Sequence, residues 1–186
     1  LKGGVGSAST VLASGTTVGV LAVVNAAGSA LDPVTGALYG ELFGGRPQAP
    51  EEDTHAEAMR RLTEAREETA RRTAGPLRPP LNTTLAVVAT DAGLTRPQAQ
   101  KLAGAAHDGL ARAVRPVHLM HDGDTIFAMA TEERALGDGE LNDLLAAGAD
   151  VLTRAVVNAV LAAESVDTPG GIFPSYGDLY GARRQD

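Results

Sequence analysis

The fold of this chain is decided by the stretch Asn82-Thr83-Thr84-Leu85-Ala86-Val87-Val88-Ala89-Thr90-Asp91. Its apolar and β-branched residues predict a buried strand over residues 83–90. Directly before it lies a Pro-rich segment, residues 74–81, in which Pro79-Pro80 disfavours helix. A buried strand that begins on a threonine immediately after such a segment is unusual. The Asn82–Thr83 bond is therefore the first candidate for chemistry.

Regular structure is predicted on both sides of this strand. Upstream, residues 10–12 and 17–24 are β-prone and predict a hairpin whose turn is Ser14-Gly15. The second run is apolar on both faces, which predicts a central strand in a covered sheet, and it ends at the polar Asn25. Downstream, the sequence predicts a helix that Thr95 N-caps and that runs to about Val114, a strand at 125–131 and a long buried helix at 140–165.

Residues 44–82 are interpreted as a charged, Pro-rich linker that ends at the Asn82–Thr83 bond. Within it, residues 51–73 predict a solvated helix, because Glu and Arg recur four residues apart. We expect this helix to bury little, since its apolar stripe is thin (Met59, Leu62 and Ala65). The tail, 167–186, is rich in Gly and Pro and is expected to extend over the surface. The predicted division is thus 1–43, 44–82 and 83–186.

Composition limits the function classes. The chain has 186 residues, enough for one domain with a real core, and its alternating strands and helices predict a layered α/β fold. A net charge of -7 argues against nucleic acid as a partner. The absence of Cys excludes disulfides, thiolate catalysis and Cys-ligated zinc. The absence of Cys also fits a cytoplasmic protein, which we expect here. We expect no membrane partner, because no apolar run approaches the roughly 20 residues needed to span a bilayer.

Cleavage of the Asn82–Thr83 bond would create a nucleophile and a base together. Thr83 would gain a free α-amine, a group whose ordinary pKa of about 7.7–8.0 suits proton transfer near neutral pH. A threonine paired with its own N-terminal amine is a known form of activated nucleophile. The alternative from the residues alone is an ordinary Asn-Thr-Thr turn before a strand.

Three further sites are candidates for supporting roles. Asp122 and Asp124 stand two apart before a predicted strand, so both carboxylates can face one site and hold an ammonium group. Asn25 follows a buried strand, where its amide can donate to an oxyanion. Lys2 could pair with either aspartate. The ordinary alternatives are turns for the Asp-Gly-Asp and Asn25 positions, and an exposed side chain for Lys2.

The remaining polar and sulfur-containing side chains predict no cofactor. The spacing of the four histidines matches no zinc motif, so no metal is expected (His55, His107, His118 and His121). Met120 and Met129 are interpreted as core residues. Ser175-Tyr176 is expected to lie in a solvated tail.

Four segments together resemble the L-aminopeptidase/D-esterase family of self-cleaving hydrolases. They are residues 1–9 (Leu1-Lys2-Gly3-Gly4-Val5-Gly6-Ser7-Ala8-Ser9), 20–25, 82–91 and 121–128 (His121-Asp122-Gly123-Asp124-Thr125-Ile126-Phe127-Ala128). They occur in the family's order and span most of the chain. The Asn-Thr-Thr and Asp-Gly-Asp combination is most similar to the endo-type nylon-oligomer hydrolase of that family.

The resemblance implies an αββα sandwich and a catalytic arrangement. By it, the precursor cleaves itself before Thr83 into an α subunit ending at Asn82 and a β subunit of residues 83–186. The resemblance implies that Asn25 stabilises the oxyanion and that Asp122 and Asp124 support the amine of the nucleophile. Lys2 matches the lysine that the family has ahead of its Gly-rich segment. The resemblance further implies a homo-tetramer without metal or organic cofactor. The family's first stretch has no counterpart here, so N-terminal residues, including part of the pocket, are expected to be missing.

Substrate and reaction class stay open at this stage. Within the family, D-amino-acid amides, β-peptides and 6-aminohexanoate oligomers are all candidates. An acyl transferase similar to the ornithine acetyltransferases, which also cleave before a Thr, is one alternative. A non-catalytic binding or assembly protein with an uncut 44–82 loop is the other.

Overall fold

The computed structural model describes residues 1–45, 47, 49–74 and 82–181. Its centre is a four-stranded sheet in which the strands lie side by side in chain order. β1 (Val5–Val11), β2 (Thr17–Val23) and β3 (Leu85–Ala92) pair antiparallel, and β4 (Thr125–Arg134) pairs parallel with β3. A small two-stranded sheet, β5 (Val166–Thr168) and β6 (Gly171–Phe173), follows near the C-terminal end.

Five helices complete the described elements. Two long helices, α3 (Arg96–Ala113) and α4 (Glu140–Leu161), flank β4 in the chain and pack against each other. The others are α1 (Tyr39–Phe43), α2 (Glu52–Arg72) and α5 (Tyr176–Tyr180). The predicted N-cap of α3 is confirmed, since the backbone N–H of Thr95 donates to Gln98 Oε1 at 2.8 Å.

One face of the sheet builds the main core. Val18, Val20 and Val88 alternate inward along β2 and β3 and are buried beneath α3 and α4. α4 approaches β1 closely because residue 6 is glycine: a Cβ there would lie 2.3 Å from the Ala155 carbonyl oxygen. β1 therefore begins at Val5, earlier than the predicted residue 10, because pairing with β2 and contact with α4 outweigh the weak local β propensity.

The other face of the sheet is apolar and exposed among the described residues. Leu21 is 51% exposed, Phe127 57% and Met129 55%. The expectation that β2 is covered on both faces is therefore wrong for the described part of the chain, as is the interpretation of Met129 as core. Met120, also expected in the core, is fully exposed. It lies in the loop before β4, where no described element packs over it.

A second core cluster forms beneath α2, against expectation. Ala58, Leu62 and Ala65 are buried, and the helix packs on β6 and α5. Tyr176 of the tail is completely buried in the same cluster, and Ser175 is also buried. The sequence predicts that α2 and the tail are both solvated, but each of them buries the other. The Pro-rich 75–81 part of the predicted linker lies outside the described residues.

Helix α4 is apolar and long, although no membrane-spanning segment is expected from the sequence. It is long enough to cross a membrane, and its most apolar stretch of 18 residues has a mean hydropathy of 1.6. In the fold, however, its residues Val151, Leu152 and Val156 are buried against α3 and the sheet. Its apolar character is that of a core helix.

Candidate active site

The Asn82–Thr83 junction and the Asp-Gly-Asp loop lie side by side because β3 and β4 are parallel. The ladder pairs Leu85 with Thr125, and one further bridge joins Asn82 to Asp122. Parallel strands enter a sheet from the same edge, so the residues that precede both strands meet there. This pairing brings four of the sequence-predicted residues together: Asn82, Thr83, Asp122 and Asp124.

Two hydrogen bonds converge on the Asn82 carbonyl oxygen. The Thr83 hydroxyl donates to it at 2.7 Å, and the backbone N–H of Gly123 donates at 2.9 Å. The Thr83 Oγ1 thus lies next to the carbonyl of its own preceding peptide bond. The N–H of Gly123 withdraws electron density from that carbonyl, as a donor of an oxyanion hole does. Gly123 was not predicted as a site residue.

Glycine at position 123 permits this approach. A Cβ added there would lie 2.7 Å from Thr83 Oγ1, closer than real side-chain contacts allow. Gly123 does not have a left-handed φ, so space, not backbone conformation, is the requirement.

The end of β2 holds the nitrogen of Thr83. The backbone N–H of Thr83 donates to the Asn25 carbonyl oxygen at 2.8 Å. Asn25 therefore lies beside the junction, and this contact uses its main chain; the role predicted for its side chain stays a prediction. Its residue as a whole is exposed and lines the same cavity as Asn82.

Asp124 anchors the residue after Thr83. Its Oδ1 accepts the backbone N–H of Thr84 at 2.9 Å, and its Oδ2 lies 3.1 Å from His118 Nδ1. The Asp124 side chain is only 2% exposed, whereas that of His118 is 38% exposed. Buried carboxylates of this kind are stable only when hydrogen bonded, and both oxygens of Asp124 are.

Asp122 is less well satisfied. Its Oδ2 accepts a long hydrogen bond of 3.4 Å from the backbone N–H of Ala27. Its Oδ1 is buried and has no hydrogen-bond partner among the described residues. Burial raises the pKa of Asp122, and the neighbouring Asp124 charge raises it further. An ammonium group near Oδ1 would donate a hydrogen bond to it and offset the cost of two neighbouring carboxylate charges.

Lys2 reaches the same cavity but not the aspartates. Its Nζ donates to the Gly3 carbonyl oxygen at 2.7 Å, and its backbone N–H donates to Pro174. Over the described ranges, no ion pair joins Lys2 to Asp122 or Asp124. The suggested pairing is therefore not formed in this structure.

A cavity of about 640 Å³ opens beside the junction. Lys2, Asn25 and Asn82 line it, together with Arg66 of α2 and Arg115. A volume of this size is typical of small-molecule sites. Its walls come from α2, the end of β2 and the segment after β6, which is why the predicted linker contributes to the pocket.

The histidines do not gather into one site. His55 Nδ1 lies 2.9 Å from the Tyr180 hydroxyl, and the rings of His107 and His118 meet edge to face at 4.8 Å. In the part of the chain that the structure describes, no three His, Asp or Glu side chains are grouped to hold a metal ion. The sequence predicts no role for His118 and excludes it as a zinc ligand. Its contact with Asp124 has no signal in the sequence, because it depends on a loop in which His118 has a φ of 57°.

Comparison with known proteins gives a family match over most of the chain. The model of peptidase family S58 matches residues 1–172. The chain is 42% identical over 197 residues to an uncharacterized aminopeptidase of Mycobacterium tuberculosis, covering 97% of this chain and 53% of the relative. A Mycobacterium leprae uncharacterized aminopeptidase is also 42% identical, over 94% of this chain and 49% of its own length. The chain thus spans about half the length of these curated relatives.

Solved structures give the same fold. A Burkholderia sp. beta-aminopeptidase aligns with a TM-score of 0.64 and 24% identity, over 98% of this chain and 49% of that chain. The L-aminopeptidase D-Ala-esterase/amidase from Ochrobactrum anthropi, described as a variant of the Ntn hydrolase fold, aligns with a TM-score of 0.57 and 21% identity, over 97% and 49%. The predicted fold class, a layered sandwich of the N-terminal-nucleophile type, is confirmed; the described residues supply its four-stranded sheet and the layer of α3 and α4 on one face of that sheet. The chain belongs to peptidase family S58, the L-aminopeptidase/D-esterase family.

Proposed function

We propose that this protein is a self-processing amide hydrolase that is cut between Asn82 and Thr83 and then uses Thr83 as its nucleophile. The observation that carries the proposal is the pair of hydrogen bonds to the Asn82 carbonyl oxygen, one from the Thr83 hydroxyl and one from Gly123. The attacking group and a donor for the developing negative charge are already assembled around one peptide bond.

Maturation begins with attack of Thr83 Oγ1 on the Asn82 carbonyl carbon. The Gly123 N–H stabilises the oxyanion of the tetrahedral intermediate. The C–N bond then breaks, the Thr83 nitrogen takes up the hydroxyl proton, and an ester joins Asn82 to Thr83 Oγ1. Water hydrolyses this ester, which leaves a carboxylate on Asn82 and a free amine on Thr83.

Turnover uses the amine that maturation creates. The Thr83 α-amine takes the proton from Oγ1 as this atom attacks the substrate amide, and later donates it to the leaving amine. The hydrogen bond from the Thr83 nitrogen to the Asn25 carbonyl, 2.8 Å in the uncut chain, keeps the amine in place. In the proposal the Asn25 side chain donates to the substrate oxyanion. Water then hydrolyses the acyl-enzyme.

The acidic loop supports the nucleophile. Asp124 fixes the main chain at Thr84, and the buried Oδ1 of Asp122 is available to an ammonium group. That group is the Thr83 amine or the amino terminus of a substrate. Lys2 contributes positive charge to the cavity wall.

The substrates we propose are small molecules with an amide bond and a free amino group. The curated relatives named aminopeptidases and the aligned beta-aminopeptidase support this class. Amino-acid amides, β-peptides and nylon-type oligoamides are the members to assay side by side. We also propose that the cleaved subunit pairs assemble into a homo-oligomer, a tetramer by the family resemblance, and that the protein is cytoplasmic. Light scattering measures the oligomeric state.

The acyl-transferase alternative differs only in what accepts the acyl group. Release of free acid in the absence of added amino acid would support hydrolysis; a rate that requires an amino-acid acceptor would support transfer. The non-catalytic alternative predicts no turnover and a single uncut chain.

Thr83→Ala and Thr83→Ser in the full-length protein test the proposal. Alanine should abolish both cleavage and amide hydrolysis, whereas serine retains a hydroxyl and should keep measurable levels of both. Hydrolysis by the alanine variant at the wild-type rate would place the chemistry elsewhere. Circular dichroism and the melting temperature of each variant show whether it is folded.

A further inference from the structure

The contact of His118 with Asp124 has no role in the reaction steps above. His118 Nδ1 lies 3.1 Å from Asp124 Oδ2, and the other oxygen of that carboxylate accepts the Thr84 N–H at 2.9 Å. Asp124, when ionised, can only accept hydrogen bonds, so Nδ1 of His118 must carry the proton. A continuous path of hydrogen bonds therefore runs from a partly exposed imidazole to the residue that follows the nucleophile.

The backbone of His118 is held in an uncommon conformation. Its φ is 57°, in the left-handed region that non-glycine residues rarely occupy. Such a conformation has a free-energy cost and persists where the surrounding structure requires it. At this position it accompanies the contact between the imidazole and the buried carboxylate six residues later.

The imidazole of His118 also contacts a second ring. The His107 ring of α3 contacts it edge to face, with centroids 4.8 Å apart and an interplanar angle of 66°. Burial lowers the pKa of His107, which favours its neutral form. The imidazole of His118 thus contacts both a ring on α3 and the Asp124 carboxylate.

We propose that His118 is a positioning residue, which holds Asp124 so that Asp124 can hold the Thr83–Thr84 main chain. The inference rests on the proposed function, because it concerns the placement of Thr83 Oγ1. Without the Nδ1–H donor, Asp124 keeps only its hydrogen bond from the Thr84 N–H, so the acceptor of that N–H is held less firmly. Partners that orient metal ligands in this way are typically worth about 10–100-fold in activity, and we expect a loss of the same order here.

An asparagine and an aspartate at position 118 separate this role from general structure. Both side chains are short, nearly identical in shape and tolerant of a left-handed backbone. The asparagine Nδ2 can replace the Nδ1–H donor, whereas the aspartate offers only acceptors and places a second negative charge beside Asp124. The matched pair therefore differs in the hydrogen bond and little else.

The full-length protein is assayed as wild type, His118→Asn and His118→Asp, with precursor cleavage followed on gels and amide hydrolysis followed by kcat and KM. We expect asparagine to stay within about 3-fold of wild type in both reactions. Aspartate should lower the cleavage rate and kcat about 10–100-fold and leave KM within about 3-fold, since the cavity wall is not altered.

Equal rates for the asparagine and aspartate variants, whether high or low, would overturn the positioning role. If His118→Asp does not fold, His118→Gly supplies the test: it removes the side chain and accepts the left-handed φ. Glycine should then show the loss of kcat expected for aspartate, and wild-type kcat for glycine would refute the inference. A wild-type protein that is neither cut nor active would instead refute the proposed function.

Discussion

Gly123→Ala changes one contact at the Asn82–Thr83 junction. The new Cβ would lie 2.7 Å from Thr83 Oγ1, and ordinary contact begins near 3.4 Å, so the hydroxyl or the loop must move by about 0.7 Å. A misplacement of 1 Å can cost about 10²-fold in a positioned reaction. We therefore expect self-cleavage to slow by about 10- to 100-fold. The backbone of Gly123 has no left-handed φ, so alanine adds no conformational strain.

The assay is a time course of the full-length precursor on denaturing gels, with N-terminal sequencing of the new fragment. Gly104→Ala is the matched control, because a Cβ at that exposed position of α3 meets nothing within 4 Å. This control should be cut at the wild-type rate and be more stable by about 0.5–1 kcal/mol. Cleavage of the Gly123→Ala precursor at the wild-type rate would refute the assembled geometry as the source of self-cleavage.

Three further predictions concern stability. The pKa of Asp122 in the folded protein is raised above the ordinary value of 3.8, so ionisation of this carboxyl destabilises the fold. The free energy of unfolding should therefore fall as pH rises from 3.8 through the raised pKa. Asp122→Asn should melt at a higher temperature than wild type at pH 7, with no difference well below pH 3.8. Leu62→Ala should lower the free energy of unfolding in urea by about 2–5 kcal/mol, because Leu62 is buried in the cluster beneath α2. If α2 were solvated, the same change would have almost no effect. Gly6→Ala should lower the free energy of unfolding by at least about 1–3 kcal/mol, because its Cβ would meet the α4 backbone. Gly19→Ala should lower it much less, because a Cβ there meets nothing within 4 Å.

The elements that were predicted well are those specified by local sequence. The turn at Gly15, with φ of 87°, follows from the tolerance of glycine for that conformation. The start of α3 follows from Thr95 and Gln98, which form a capping box. The strand from Leu85 follows from an apolar run of the right length.

The errors concern burial, which depends on distant parts of the chain. Tyr176 is buried because α2, more than a hundred residues earlier, contributes to the same cluster. Met120 is exposed because no described element covers its loop. Neither outcome is visible in a local pattern, since an apolar side chain in a loop looks the same whether or not a partner packs over it.

The candidate site shows the same division. Thr83, Asp122 and Asp124 have side chains whose chemistry can be recognised, and parallel pairing of β3 with β4 brings them together. Gly123 acts through a backbone N–H, which leaves no side-chain signal in the sequence. The His118 contact depends on a loop conformation with positive φ, and this could not be derived from residue types.

The proposed function depends on cleavage of the Asn82–Thr83 bond, which makes Thr83 the nucleophile. Intact mass and N-terminal sequencing of the purified full-length protein measure this cleavage directly, with the Thr83→Ala variant beside it. We expect two chains in the wild-type protein, one beginning Thr83-Thr84-Leu85, and a single uncut chain in the variant. A wild-type protein that hydrolyses amides as one uncut chain, or whose new N-terminus lies at another residue, would contradict it.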